Sequence, residues 1–175
     1  MVIGPYPNSP SLADPIAHNA LLRALNSVYL QCEQLKNPKD QADCALYVKY
    51  WIDWISHHHH GEEEMFFPEV EELGKEAGIA VHMKENIAQH HAFEPGLKSL
   101  SDWVARVERD SSLFNPKELK GIMDGFGAIL QEHLNDEIDT LMELHPVDSK
   151  KLLDSYLRFD LELRKGEKVC LLQSV

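Results

Sequence analysis

Seven polar residues interrupt otherwise apolar helical stripes: His18, His58 with Glu62, Asn86 with His90, and His133 with Glu137. Three of these sets are spaced i, i+4, which points both members from one face of a helix. Buried without partners, each imidazole and carboxylate would lose its hydration at large cost. A cation is the compensation that suits them together. Imidazole nitrogen binds iron, zinc and copper, and a carboxylate can bridge two metal ions. Taken singly, His18, His90 and His133 read more readily as core histidines satisfied by a hydrogen bond than as ligands. His58 with Glu62 alone reads as a solvated helix surface.

Their common level separates these readings. In an antiparallel hairpin, residues equidistant from the turn lie side by side. His18 and His58 are equidistant from Pro38, and Glu62 and His90 from Glu76 within the segment Gly74–Gly78. His90 and His133 straddle the Ser111–Ser112 junction, as do Asn86 and Glu137. A helix rises about 1.5 Å per residue, so an error of two residues at a turn keeps these groups within roughly one turn of each other. The inward polar residues are therefore expected to form one layer.

The elements that must carry this layer follow from helical periodicity. Asp14-Pro15 reads as a helix cap followed by proline in the first turn, and a stripe runs from Ile16 through Leu21, Leu25 and Val28 to Leu35. A second helix is predicted from Lys39 or Asp40, along Tyr47, Trp51, Ile55, His58, Glu62 and Val70, fading near Gly74. The third runs from Ile79 through Met83, Asn86, His90, Phe93 and Leu97 to Val107, with a kink expected at Pro95. The fourth follows Leu119, Met123, Phe126, Ile129, His133, Glu137 and Leu144 and stops before Pro146. Short loops between four long helices predict an all-α, antiparallel up-down-up-down four-helix bundle over residues 14–145. Residues 1–13, with Pro5, Pro7 and Pro10, read as an extended N-terminal arm. Residues 146–175 read as a short extra helix, about 148–164, and a tail whose apolar residues Val169 to Leu172 pack back on the bundle.

The run Ser56-His57-His58-His59-His60-Gly61-Glu62-Glu63-Glu64 needs only His58 and Glu62 on the inward face. His57, His59 and His60 lie about 100° to 200° around the helix from His58 and read as surface residues or supports of the ligands. A register pairing His59 with Glu63 is the alternative. His82, one turn before Asn86, stands near the bundle wall, and His91 and His145 read as surface residues.

Composition narrows the function classes. The chain has 175 residues, 43% of them hydrophobic, enough for one domain with a sizeable core. It carries 17 Lys and Arg against 29 Asp and Glu, a net charge of -12, which disfavours nucleic acid and anionic lipid surfaces. No apolar run reaches the roughly 18 residues of a membrane span. The start MVIGPYPNSPSLADP has no basic region followed by an apolar stretch, so a secretory leader is not expected. Cys32, Cys44 and Cys170 make no disulfide framework, and reduced cytoplasmic thiols are expected.

The arrangement resembles the hemerythrin-like proteins with a histidine/glutamate (HHE) cation-binding domain, over residues 14–145. That family's pattern has a histidine on the first helix, matched by His18, and His-x-x-x-Glu on the second, matched by His58 to Glu62 and followed here by Phe67-Pro68. Its fourth-helix histidine and carboxylate match His133 and Glu137. The third helix departs from the pattern, with Asn86 where the first histidine of His-x-x-x-His would stand before His90. The resemblance implies two non-haem irons, with Glu62 and Glu137 bridging and both third-helix positions serving one iron. Asn86 would leave that iron a ligand short unless its amide oxygen, a water or His82 replaced the histidine. A more open, more labile or more reactive site than that of a dedicated oxygen carrier is therefore expected. The expected function is dioxygen binding or sensing, or iron handling. Its alternatives are a di-iron oxidase or peroxide-consuming enzyme, and a structural bundle holding zinc or a single iron. Expected partners are metal ions with dioxygen or peroxide, and no oligomeric state follows from these residues.

Overall fold

The computed structural model describes the backbone of residues 14–172 and side chains within 17–165. The predicted arm over 1–13, the side chain of the Asp14 cap and the apolar tail Val169 to Leu172 fall outside the described residues or side chains. Among the described residues every regular element is helical and there is no strand. The long elements are α1 (Asp14–Gln31), α2 (Pro38–Gly61), α3 (Phe67–Glu76), α4 (Lys84–Arg109), α5 (Pro116–Met142) and α6 (Ser149–Leu172). None of the described helices is long and apolar enough to cross a membrane.

Local chemistry sets the helix starts. Asn37 precedes Pro38, and its side-chain oxygen accepts from the Asp40 amide at 2.8 Å. Asn115 precedes Pro116 and accepts from the amides of Lys117 and Glu118 at 3.1 and 3.2 Å. Both pairs put a capping acceptor beside a proline whose missing N–H is no loss in the first turn. Asp148 caps α6 in the same way, accepting from Lys150 and Lys151. These backbone donors hold the Asp148 carboxyl below its ordinary range.

Several boundaries differ from the periodicity. The second predicted helix is α2 and α3 joined by a π-helical turn at Glu62–Phe66, not one uninterrupted α-helix. The third starts at Lys84 rather than Ile79, because Gly78 adopts φ +76°, a left-handed conformation that ends the preceding helix. The helix α4 passes through Pro95 as a single element. The C-terminal helix has 24 residues and reaches Leu172, longer than expected, since its backbone continues through Gly166. Tyr47 (46% exposed) and Ile129 (36%) face outward, and Ala45, Val48 and Trp51 form the inner face of that part of α2.

Contacts along the backbone group the chain into two units, with the divisions falling inside α2, α4 and α5. One comprises the chain up to Asp53 with Gln89–Asn135. Its core includes Leu21, Leu25, Trp51, Leu100, Trp103 and Phe126, all buried. The Trp51 indole N–H donates to the Leu21 carbonyl at 3.0 Å, satisfying a polar atom inside that core. Gly96 lies directly against Phe126. A Cβ built at Gly96 would stand 2.4 Å from the Phe126 Cβ and 2.6 Å from its Cγ. A Cβ is fixed by its backbone, so no rotamer change relieves that overlap. We expect Gly96→Ala to destabilise the protein by about 2–3 kcal/mol in urea unfolding, even though alanine is the better helix former by about 1 kcal/mol.

Cys32 and Cys44, free thiols in this unit, both titrate high. Burial pushes the Cys44 thiol up to about 11, and burial likewise raises Cys32. At pH 8 a thiol of pKa near 11 is about one part in a thousand thiolate, the reactive form. Iodoacetamide is therefore expected to label Cys44 roughly a hundredfold more slowly in the native protein than in urea, and Cys32 more slowly as well, as read by peptide mass mapping.

The other unit comprises Trp54–Ala88 and the chain from Asp136 onward. Here α6 packs on α3 and the π turn. Phe159 stacks on Phe66 with centroids 5.3 Å apart, and Tyr156 meets the edge of Phe66 at 6.0 Å. The Ser155 hydroxyl and the Arg158 guanidinium both donate to Glu69 Oε2, the latter at 2.6 Å. Burial works to raise the Glu69 carboxyl, but these two donors outweigh it and hold it below the usual range. Gly61 permits the close approach of α6, since a Cβ there would meet Phe159 at 3.0 Å and Leu163 at 3.1 Å.

Candidate metal centre

All seven residues singled out above are buried: His18, Glu62, His133 and Glu137 at 0%, and His58, Asn86 and His90 at 2%. His18 stands on α1, His58 on α2, Glu62 on the π turn, Asn86 and His90 on α4, and His133 and Glu137 on α5. The stripe that buries leucines elsewhere on each helix thus buries ligand-type side chains here. His82 is exposed, as are His60, His91 and His145, and Glu63 is only half-buried.

The ligand atoms meet in two groups of three. Those of His18, His58 and Glu62 lie within 4.8 Å of one another, and so do those of His59, His90 and His133. Glu137 belongs to neither group of three. His58 Nε2 is 2.8 Å from Glu62 Oε1, and His90 Nε2 is 3.0 Å from His133 Nε2. Metal–nitrogen bonds run about 2.0–2.1 Å, so two donors at a right angle on one ion stand about 3.0 Å apart. The spacings and the nitrogen and oxygen donors fit cations.

Neighbouring groups fix the ring orientations. Gln89 Oε1 lies 3.3 Å from His133 Nδ1 and can accept its proton, which leaves a lone pair on His133 Nε2. The His90 Nε2–H can then donate to that lone pair. Phe93 adds an apolar wall, 5.9 Å from the His90 ring and 5.5 Å from the His133 ring. The Phe159 ring of α6 stands 5.8 Å from the His58 ring.

Two participants escaped the sequence reading. His59 was expected at the surface, yet it is 5% exposed. With about 100° per residue, His58 and His59 lie about 40° and 60° to either side of the Glu62 direction. The i, i+3 spacing of His59 and Glu62 was the available signal. Phe159 had no signal, because nothing in a periodic stripe says which helix it will meet.

The hemerythrin HHE cation-binding domain matches residues 16–144, a span that ends before α6. The chain is 36% identical over 135 residues to the dimeric xanthone biosynthesis cluster protein R11 of Cryptosporiopsis sp. (strain 8999). That alignment covers 77% of this chain and 50% of the relative, so the chain spans about half the length of the curated relative it matches. No solved structure matches the chain significantly.

Proposed function

The chain belongs to the hemerythrin HHE cation-binding domain family, and from that membership we propose that its buried layer holds two non-haem iron ions for dioxygen binding or sensing, or for iron handling. The bundle in this reading is antiparallel, up-down-up-down. His18, His58, His90 and His133 would serve as terminal ligands, and Glu62 and Glu137 as the carboxylates that would bridge. The observation that carries the reading is the convergence of histidine and glutamate ligand atoms in two buried groups. When bound, ferrous iron supplies electrons and coordination positions open to a diatomic ligand. The two carboxylates offset two of the cationic charges. Burial of the imidazoles keeps bulk water away and strengthens every electrostatic contact inside. A cation held by both Nε2 atoms would require the His90 proton to sit on Nδ1 instead, so that the neutral ring presents its Nε2 lone pair.

A second reading, an oxidase or peroxide-consuming enzyme, is favoured by the relative, whose name places it in a biosynthesis cluster. A cytoplasmic location fits the free thiols. The deciding experiment is elemental analysis of the protein as isolated together with its visible spectrum. Two irons per chain and a spectrum that changes reversibly between oxygen and vacuum support the first reading. Sustained peroxide turnover supports the second. Colourless protein with stoichiometric zinc, or with no metal, overturns both.

A further inference from the structure

We propose that His59 supplies the third imidazole to the cation of His90 and His133, in the ligand place where this chain carries Asn86. The inference rests on the two-cation reading and assigns one of its ligands. Its first support is placement. The ligand atoms of His59, His90 and His133 lie within 4.8 Å of one another, and all three residues are buried. Two of those nitrogens already stand 3.0 Å apart, the separation of adjacent ligands on one ion. A third nitrogen in reach completes a face of a coordination sphere.

The second support is the state of Asn86. It is 2% exposed, and its side-chain Nδ2 has no acceptor among the described residues. An amide nitrogen has no lone pair to give a cation, so Asn86 could serve only through its neutral amide oxygen, where the pattern has an imidazole. The His-x-x-x-His pattern of α4 has lost one imidazole, and α2 brings another to the remaining one.

The third support is the division of labour on α2. The rings of His58 and His59 diverge, with centroids 5.6 Å apart and planes at 47°. Adjacent residues on a helix project about 100° apart. They can therefore serve two different cations about 3.5–4 Å apart, the usual spacing of paired metal sites. His58 goes with His18 and Glu62, and His59 with His90 and His133. Each cation then has three protein donors without calling on Asn86. The site is not a ligand short, contrary to the expectation from Asn86 alone.

The test is zinc(II) stoichiometry by elemental analysis after desalting, with affinities by calorimetry, on the full chain. Wild type is expected to hold two zincs, and Asn86→Ala is expected to do the same. His59→Gln is expected to lose one zinc, or to weaken it at least about a hundredfold, since even indirect supports of a ligand cost about 10- to 100-fold. The double variant His59→Gln with Asn86→His is expected to regain the second zinc, which also guards against misfolding of the single variant. Two zincs of unchanged affinity in His59→Gln would overturn the proposal. So would loss of a zinc in Asn86→Ala, or a double variant that folds but stays at one. These results leave the two-cation reading standing, whereas a wild type that binds no metal overturns both.

Discussion

Saturating the metal-free chain with zinc(II) or ferrous iron is expected to raise its thermal midpoint by about 8–16 °C. The sign follows from linkage, because a ligand that binds only the native state stabilises it in proportion to the logarithm of its concentration over Kd. At a thousandfold excess over Kd the gain is about 4 kcal/mol, and a chain of this length shifts by about 2–4 °C per kcal/mol. The unfolded chain competes poorly, since His18, His58, His90 and His133 come from four helices far apart in sequence. The effect should be large because of what the metal-free core contains. Glu62 and Glu137 are carboxylates at 0% exposure, and His18 and His133 are imidazoles at 0%. A cation binds these groups in place and relieves the strain of holding them in a low-dielectric interior. Scanning calorimetry across three decades of metal concentration checks it. A midpoint that stays flat over that range would remove the metal centre while leaving the helical fold intact.

The inward face of α4 was legible because a 3.6-residue period leaves little freedom over which residues share a side, whereas Tyr47 and Ile129, read onto inward stripes, face outward. Asn86 and His90 share such a side with Phe93, Leu97 and Leu100, and all five are buried. The shared level of His90 and His133 was legible for a related reason. Short turns constrain antiparallel neighbours, and the 3.0 Å approach of His90 to His133 is what equal distance from the Ser111–Ser112 junction predicts. What could not be read depended on packing across the chain. The π turn at Glu62–Phe66 adds a residue to one turn, and no local pattern encodes it. It follows Gly61, where Phe159 and Leu163 come within about 3 Å of the missing Cβ position. His59 was assigned outward because the angle was measured from His58 when Glu62 was the better reference. Phe159 became a neighbour of His58 through a helix that the matched family span does not include.

Replacing His58 and Glu62 together by Phe and Leu is expected to leave the metal-free chain as stable as wild type, or more stable by about 1–4 kcal/mol. The two are 2.8 Å apart at 2% and 0% side-chain exposure. Burying such a pair forfeits hydration that its mutual attraction repays incompletely, and apolar residues of similar size escape that cost. The single replacements should differ from the double and from each other. His58→Phe leaves the Glu62 carboxylate buried beside an apolar ring and is expected to cost about 3–5 kcal/mol. Glu62→Leu leaves an imidazole, which can shed its proton and stay neutral, so its cost should fall nearer 1–3 kcal/mol. Urea unfolding in the presence of a chelator measures all four proteins. With metal present the order should reverse, because the double variant keeps His18 alone from its group of three and forfeits stabilisation that wild type gains. A double variant that loses several kcal/mol without metal would mean that the pair is structural. The predicted crossing of the two orders is what a site held against its own folding cost by a bound cation requires.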